Sequence, residues 1–154
     1  MKLFSKVVKK LINNNISTSV AESCTGGLLS SKITSISGVS KIYYLGLVVY
    51  SNNSKLSILN ITNKFINKYG VVSKQSAKQI LQNLYKLTKS QLCICTTGIA
   101  GPNGGTVDKP VGLVFIGIKY KKKIIIIKKK YKGTRIQIQN KTVHDIFKTI
   151  DKLI

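Results

Sequence analysis

The sequence predicts an α/β sandwich built around a mixed β-sheet. Strand patterns alternate with segments of helical spacing along most of the chain, which is typical of strands covered by helices. The last two strand patterns lie so close together that they predict an antiparallel hairpin, which makes the sheet mixed. With 154 residues the chain is long enough for one domain with its own core. We therefore expect a single domain over residues 1–154.

Hydrophobic spacing predicts the position of each element. The clearest helix is the one over 74–89, because five apolar residues fall on one of its faces: Ala77, Ile80, Leu81, Leu84 and Leu87. The stretch 98–112 holds both prolines and is rich in glycine, which indicates a long functional loop. The predicted helices cover about 1–11, 25–36, 55–59, 63–69, 74–89 and 135–153, and the predicted strands cover about 16–21, 43–50, 92–97, 113–120 and 123–131.

The chain is strongly basic, with 26 basic residues, 4 acidic ones and a formal net charge of +22. A charge of this size suggests a nucleic acid or an anionic membrane as partner. Arg135 is the only arginine, however, whereas nucleic-acid surfaces commonly combine arginine with lysine. Lysine, isoleucine and asparagine are abundant together, as an AT-rich coding sequence would produce. We expect nonspecific polyanion binding and no specific nucleic-acid site.

Cysteine usage and the absence of long apolar runs indicate a cytoplasmic protein. Cys24, Cys93 and Cys95 are odd in number and lack the spacing of a disulfide framework. With His144 as the only histidine, the sequence contains no zinc-ligand set and predicts no metal site. The N-terminal residues resemble an amphipathic helix rather than a signal peptide, and the aliphatic run 124–127 is too short to span a bilayer.

The candidate site begins at the turn after the first predicted strand, in the sequence Ala-Glu-Ser-Cys-Thr-Gly-Gly over 21–27. This turn contains the only glutamate, Glu22, and two possible nucleophiles, Ser23 and Cys24. A turn that leads into a helix offers main-chain N–H groups to anions and to developing oxyanions. Ser23 is equally suited to be a helix N-cap, and Cys24 to be a small buried side chain.

A serine nucleophile needs a base, and position favours Lys55 among the many lysines. Lys55 follows the end of the second predicted strand, as Ser23 follows the first, and ligand sites of α/β sheets gather at such strand ends. Tyr50 lies at the same edge, where its hydroxyl could relay a proton or orient Lys55, or its ring could cover the core. His144, on the last predicted helix, has no triad signature around it.

Three further features suit an anionic or polar substrate. Glu22 can fix the turn by accepting main-chain hydrogen bonds, or it can hold a substrate hydroxyl. Arg135 follows Gly133 at the start of the last helix, where a guanidinium suits a phosphate or a carboxylate. The loop 98–112 is compatible with a nucleotide's sugar or phosphate, although it is neither a P-loop nor a dinucleotide fingerprint.

Taken together, several separated segments resemble the CinA C-terminal domain. They are Ala-Glu-Ser-Cys-Thr-Gly-Gly at 21–27, Tyr-Ser-Asn at 50–52 with Lys55, Gly-Val-Val-Ser at 70–73, Thr-Gly-Ile-Ala-Gly-Pro at 97–102 with Gly-Gly at 104–105, and Lys-Pro-Val-Gly at 109–112. The resemblance covers about 16–142. It implies a three-layer α/β/α fold with a mixed, mostly parallel sheet of about five strands. It also implies hydrolysis of nicotinamide mononucleotide to nicotinate mononucleotide and ammonia, in pyridine nucleotide salvage.

The resemblance further implies roles for individual residues. Ser23 is the expected nucleophile, activated by Tyr50 and Lys55, and no metal or organic cofactor is needed. Arg135 is expected at the nucleotide phosphate, and a homodimer is the implied assembly. The remaining residues expected to bind substrate or its oxyanion are Glu22, Thr25, Gly26, Gly27, Thr97, Gly98, Gly101, Gly104 and Gly105.

Three positions depart from the family pattern. Thr134 stands where an aspartate is common, Gln139 where an arginine is common, and Asn53 where a glutamate is usual. These departures spare the expected catalytic set but affect the expected phosphate affinity and substrate range. Because the molybdopterin-binding-like domain of two-domain members is not in this sequence, we expect the stand-alone form. A noncatalytic nucleotide- or nucleic-acid-binding module and a cysteine amidase using Cys24 are the alternatives.

Overall fold

Five strands form one mixed sheet in the computed structural model, which describes residues 2–154. The strands are β1 (Thr18–Glu22), β2 (Tyr43–Val48), β3 (Leu92–Gly98), β4 (Leu113–Tyr120) and β5 (Lys123–Lys130). Their order across the sheet is β2-β1-β3-β4-β5. β1 pairs in parallel with β2 and β3, whereas β4 is antiparallel to both β3 and β5. All strands except β4 therefore run in one direction, as expected for a mixed, mostly parallel sheet.

Helices cover both faces of the sheet and give the expected three-layer α/β/α sandwich. They are α1 (Leu3–Asn13), α2 (Leu28–Thr34), α3 (Asn52–Leu59), α4 (Asn63–Tyr69), α5 (Lys74–Thr88) and α6 (Arg135–Leu153), with one 3₁₀ turn at Val39–Lys41. One layer contains α1, α2 and α6, and the other contains α3, α4 and α5. Alternate strand residues supply the two cores, since Ile94 packs under the first layer and Cys93 and Cys95 pack under the second.

The predicted boundaries needed correction around the candidate site. α2 begins at Leu28 rather than near residue 25, because Gly26 and Gly27 have φ values of +59° and +98°, which no helix accommodates. β2 ends at Val48, and α3 begins three residues before the predicted helix start. The Ser51 hydroxyl accepts a hydrogen bond from the Ser54 N–H at 3.0 Å and so caps α3 one turn early.

Two further features of the surface bear on the sequence predictions. Leu87, expected on the buried face of α5, is 54% exposed and lies beside Ile58 in a surface groove. The lysines that flank residues 124–127 lie at the ends of the edge strand β5, where exposed charge discourages pairing with other strands.

No helix within residues 2–154 is both long and apolar enough to cross a membrane.

Candidate active site

The candidate site lies where three parallel strands end side by side. Glu22, at the end of β1, pairs in register with Val48 at the end of β2, and β3 runs in parallel on the other side of β1. The segments that follow these strand ends therefore meet at one edge of the sheet. Ser23 comes from the first of them, and Lys55 comes from α3 beyond the second. This is the crevice position at which open α/β sheets bind ligands.

Ser23 and Lys55 are brought into direct contact, although 32 residues separate them in sequence. Lys55 Nζ donates a hydrogen bond to Ser23 Oγ at 3.2 Å and a second one to the main-chain oxygen of Tyr50, also at 3.2 Å. Lys55 is only 2% exposed. The serine hydroxyl thus has an amine within proton-transfer distance.

Burial lowers the pKa of the Lys55 amine below its ordinary value. Its two hydrogen-bond acceptors, a serine hydroxyl and a main-chain carbonyl, are both neutral. Neither acceptor therefore repays the cost of taking an ammonium ion out of water. A lysine in this environment can be deprotonated closer to neutral pH and can then accept a proton from Ser23.

Tyr50 contributes to the site through its main chain more directly than through its side chain. Its carbonyl oxygen fixes the Lys55 amine, whereas its ring is 54% exposed. The Tyr50 hydroxyl accepts a hydrogen bond from the Arg135 guanidinium instead of contacting Lys55. The expectation that this hydroxyl orients Lys55 is therefore not met by the observed side-chain geometry, in which the backbone orients the amine.

Cys24 is poorly suited to be the nucleophile. It is 5% exposed and belongs to the core under α1, α2 and α6. Burial raises the pKa of its thiol to about 11. Since the thiolate is the reactive form, this raised pKa keeps Cys24 in its unreactive form at neutral pH. The geometry supports the buried-thiol interpretation of Cys24 and favours Ser23.

Glu22 is the anchor of the nucleophile turn. Its side chain is fully buried, and both of its oxygens accept hydrogen bonds from the turn and from the first turn of α2. The donors are Thr25 Oγ1 at 2.6 Å, the Gly27 N–H at 3.2 Å, the Leu29 N–H at 3.0 Å, the Ser30 N–H at 2.8 Å and Ser30 Oγ at 2.7 Å. The carboxylate is enclosed and fully hydrogen-bonded within the protein, so this geometry supports the role of fixing the turn and not a contact of Glu22 with substrate.

The same contacts decide which N–H groups of the turn could stabilise an oxyanion. The Gly26 N–H donates to the Ser23 carbonyl at 3.0 Å, and the Gly27 N–H donates to Glu22. These two groups, which the sequence suggested as donors, are thus already used. Within residues 2–154, the N–H groups of Cys24 and Thr25 make no hydrogen bond. The start of α2 already holds the Glu22 carboxylate, so its N–H groups are engaged within the protein.

Thr96 holds the Ser23 backbone from the neighbouring strand, a role that the sequence analysis missed. The Ser23 N–H lies 3.2 Å from both the carbonyl and the hydroxyl oxygen of Thr96. The Thr96 hydroxyl is also 2.9 Å from that of Thr25, which is only 2% exposed. Thr25 therefore supports the turn through its side chain. Alternation along β3 could have indicated a polar residue facing this strand end.

The glycine-rich loop packs on itself more than the sequence suggested. A side chain at Gly101 would overlap Val111, and a Cβ at Gly105 would lie 2.8 Å from the Val111 nitrogen. A Cβ at Gly98 would lie 2.8 Å from the Leu113 carbonyl on the neighbouring strand. Gly104 has a φ of +87° and a more open surround, so among these glycines it is the one that leaves room for a ligand. At Gly98, Gly101 and Gly105 glycine is explained by close packing of the chain, which leaves no room for a side chain.

Side chains from the first turns of α6 contact the loops that form the site. The Arg135 guanidinium donates to the Gly101 carbonyl at 2.7 Å and to the Tyr50 hydroxyl, so it bridges two segments at the mouth of the site. One turn later, Gln139 Nε2 donates to the Cys24 carbonyl at 2.9 Å. Arg135 is partly exposed, and a guanidinium has further N–H donors for an anion.

A cavity of about 170 Å³ opens at Ser23. Ten residues line it: Ser23, Cys24, Tyr50, Asn52, Lys55, Val71, Val72, Thr97, Gly98 and Ala100. The Thr97 hydroxyl donates to the Val71 carbonyl at 2.6 Å, so Thr97 forms part of the wall and fixes a second part of it. Pockets that enclose a drug-sized molecule are at least about 300 Å³, so this one accommodates only the reacting end of a larger ligand.

The CinA C-terminal domain family model matches residues 1–154. The chain belongs to this family. Its curated relatives include the "Putative competence-damage inducible protein" of Thermoanaerobacter pseudethanolicus, 45% identical over 137 residues, which cover 89% of this chain and 33% of the relative. The protein of the same name from Clostridium beijerinckii is 42% identical over 133 residues, covering 86% and 32%. This CinA domain spans about a third of the length of these relatives.

Solved structures of CinA proteins have the same fold. The competence/damage inducible protein CihA from Agrobacterium tumefaciens superposes with a TM-score of 0.92 at 30% identity, covering 99% of this chain and 96% of that one. A CinA superfamily protein from Escherichia coli gives a TM-score of 0.92 at 25% identity, covering 99% and 88%. The similarity extends over the elements that position Ser23 and Lys55.

The departures of this CinA domain from the common pattern have different structural consequences. Thr134 caps α6 and forms a capping box with Gln137, so the helix start does not depend on an aspartate there. Asn53 is exposed on α3, beside Asn52. Gln139, by contrast, reaches the nucleophile turn. Among the three departures, Gln139 is therefore the one in contact with the site.

His144 does not line the cavity at Ser23. His144 is exposed on α6 and lines a separate groove with Phe4 and Lys32. Within residues 2–154, the structure brings together no group of three or more histidine, cysteine or acidic side chains. The chemistry available at this site is therefore that of a buried serine and amine, surrounded by main-chain donors.

Proposed function

We propose that this CinA domain is a serine amidohydrolase that converts nicotinamide mononucleotide to nicotinate mononucleotide and ammonia, in pyridine nucleotide salvage. The contact of 3.2 Å between Lys55 Nζ and Ser23 Oγ supports the reaction type most strongly, together with the lowered pKa of the Lys55 amine. The choice of substrate rests on the resemblance of the site segments to the family. Three unpaired, buried cysteines fit the cytoplasm in which such a reaction would take place.

The first half of the reaction forms an acyl-enzyme. Neutral Lys55 takes the proton of the Ser23 hydroxyl while Ser23 Oγ attacks the carboxamide carbon. The N–H groups of Cys24 and Thr25 are the available donors for the resulting oxyanion. The Lys55 ammonium returns its proton to the amide nitrogen, the carboxamide C–N bond breaks, and ammonia leaves. The whole nicotinate mononucleotide, with its ribose and phosphate, then remains as an ester on Ser23 Oγ.

The second half regenerates the enzyme. Lys55 takes a proton from a water molecule that attacks the ester carbon, and the oxyanion again lies against the N–H groups of the turn. Collapse of this intermediate breaks the C–Oγ bond, and Lys55 returns the proton to Ser23. One water molecule is consumed for each ammonia released. The acid product loses its proton, which ammonia takes up, so the final products are a carboxylate and ammonium.

Size and charge suggest how the nucleotide is arranged. The cavity at Ser23 accommodates the carboxamide-bearing ring, with Val71, Val72 and Ala100 as apolar wall. The ribose and phosphate then extend to the mouth, where Arg135 contacts Gly101 of the glycine-rich loop and the Tyr50 hydroxyl. The Glu22 carboxylate occupies the start of α2, which leaves Arg135 at the mouth of the cavity as the cation best placed for the phosphate.

Ammonia release from nicotinamide mononucleotide tests the proposal. We expect Ser23→Ala and Lys55→Ala each to lower kcat by about 10³-fold or more, while thermal unfolding shows that both variants remain folded. Mass spectrometry should detect an ester adduct of the whole nicotinate mononucleotide on the peptide that contains Ser23. Cys24→Ala is the matched control next to the nucleophile and should retain most of the activity. Inactive Cys24→Ala together with active Ser23→Ala would establish a cysteine amidase instead.

A further inference from the structure

We infer that Gln139 is a positioning residue for the nucleophile turn, an inference that rests on the proposed amidohydrolase reaction for its kinetic part. The Gln139 side-chain amide donates to the Cys24 carbonyl at 2.9 Å, across 115 residues of sequence. A Cβ at Gly26 would lie only 3.8 Å from Gln139 Nε2, so the amide sits directly against the turn. α6 thereby holds the residue that follows the nucleophile.

This contact fixes a whole peptide plane. The Cys24 carbonyl and the Thr25 N–H belong to one planar trans peptide, so they point in opposite directions. Holding the carbonyl toward α6 therefore sets the direction of the Thr25 N–H, one of the two free donors of the turn. An oxyanion donor contributes only when it is aligned before the reaction, because its bond strengthens in the transition state.

The other hydrogen bonds of the turn involve other groups, so Gln139 is the residue that holds the peptide between Cys24 and Thr25. Glu22 binds the Thr25 hydroxyl and the N–H groups of Gly27, Leu29 and Ser30. Thr96 binds the Ser23 N–H. The Ser23 carbonyl is held by the Gly26 N–H. The Cys24 carbonyl is held from another helix, and it has the partly buried Gln139 amide as its partner. Loss of this bond would free one peptide in an otherwise fixed turn.

Two measurements test the inference independently. In Gln139→Ala, kcat for nicotinamide mononucleotide should fall by about tenfold with little change in KM, since alignment of a donor matters in the transition state. The Cys24 thiol, 5% exposed in this structure, should react with a thiol reagent roughly five- to tenfold faster, as expected for the loss of one hydrogen bond. Peptide mass spectrometry separates Cys24 from the fully buried Cys93 and Cys95.

Matched variants separate positioning from simple packing. Gln139→Glu keeps the shape but places an oxygen against the Cys24 carbonyl, so it should be at least as slow as Gln139→Ala. Gln139→Arg restores an N–H donor and should recover most of kcat and of the thiol protection. Asn140→Ala is the neighbouring control. The Asn140 side chain donates within α6 to the Ile136 carbonyl, so this variant should match the wild type.

The possible failures can be told apart. Unchanged kcat or unchanged Cys24 labelling in Gln139→Ala would overturn the positioning role, as would equal behaviour of the Glu and Arg variants. Wild-type protein that releases no ammonia would instead overturn the proposed function. The labelling rates would still decide whether Gln139 holds the turn. Thermal unfolding of each variant shows whether the comparison is made on folded protein.

Discussion

At the scale of single residues, Lys55 links the chemistry of the site to the stability of the fold. Its amine is buried against two neutral oxygens, so the protonated form is disfavoured and the pKa is lowered. In the unfolded chain the same amine has its ordinary pKa near 10.5. Between these two pKa values the unfolded state binds more protons than the folded state. The free energy of unfolding therefore rises with pH across that interval and falls as the pH is lowered through it.

We predict that kcat rises with pH through the lowered pKa of Lys55, because neutral amine is the base. Lys55→Met should abolish turnover and stabilise the fold at neutral pH, by about 1.4 kcal/mol for each unit of pKa lowering that it removes. Denaturant unfolding at several pH values, together with a pH profile of ammonia release, measures both effects. The stability of the variant should also depend less on pH than that of the wild type.

A different lysine serves as control for that experiment. Lys152 lies on an exposed position of α6, so Lys152→Met should leave the pH dependence of unfolding unchanged. If the free energy of unfolding depended on pH in Lys55→Met as it does in the wild type, folding would not lower the pKa of the Lys55 amine. The proposed role of Lys55 as base would then be contradicted.

At the scale of elements, the junction of β1 and α2 contains its own counter-charge. The N–H groups at the start of a helix attract anions, and here the Glu22 carboxylate takes up that position with five hydrogen bonds. Tyr43 extends the network, since its hydroxyl donates to Ser30 Oγ at 2.9 Å. The turn that presents Ser23 is thus fixed by an internal anion instead of by a bound substrate.

We predict that Glu22→Gln lowers the free energy of unfolding by roughly 2–3 kcal/mol, because an amide NH₂ would face N–H and O–H donors in a buried site. Activity should fall as well, since the same bonds hold the turn. Chemical denaturation and ammonia release give the two values. Asp151→Asn, which breaks a surface ion pair with Lys6 at 2.8 Å, should cost less than about 1 kcal/mol. Equal losses of unfolding free energy in Glu22→Gln and Asp151→Asn would show that the Glu22 network stabilises the fold no more than a surface ion pair does.

Features of this site that depend on nearby residues can be predicted from the sequence. Features that depend on contacts between distant segments cannot. The order of strands and helices and the meeting of Ser23 with Lys55 follow from local patterns and from the rule for strand ends. The direction of the Tyr50 hydroxyl does not, because a rotamer depends on neighbours such as Arg135 on α6. Likewise, Gly101 and Gly105 resemble ligand-binding glycines until their packing against Val111 is known.

At the scale of the whole molecule, the positive charge is largely uncompensated. Of the four acidic residues, Glu22 is buried, and Asp145 and Asp151 pair with Lys129 and Lys6 at 3.1 and 2.8 Å. The hairpin turn between β4 and β5 carries three consecutive lysines, 121–123, on an exposed surface. Such a surface attracts every polyanion, and it also raises the local concentration of a phosphate-bearing substrate.

The net charge is the observation that favours a nucleic-acid-binding module, and salt dependence tests that alternative. We predict that DNA binding weakens by about 10³- to 10⁵-fold between about 50 and 200 mM salt, equally for unrelated sequences, because lysine contacts to phosphate release counterions. Fluorescence anisotropy with two duplexes measures this loss. Replacing lysines 121–123 by glutamine should make DNA affinity depend less steeply on salt concentration without affecting ammonia release, since this turn lies outside the cavity at Ser23.

Sequence-selective binding at physiological salt, without turnover of nicotinamide mononucleotide, would favour the binding module. In that case the buried contact between Ser23 and Lys55 would have only a structural role, and Ser23→Ala would leave DNA affinity unchanged.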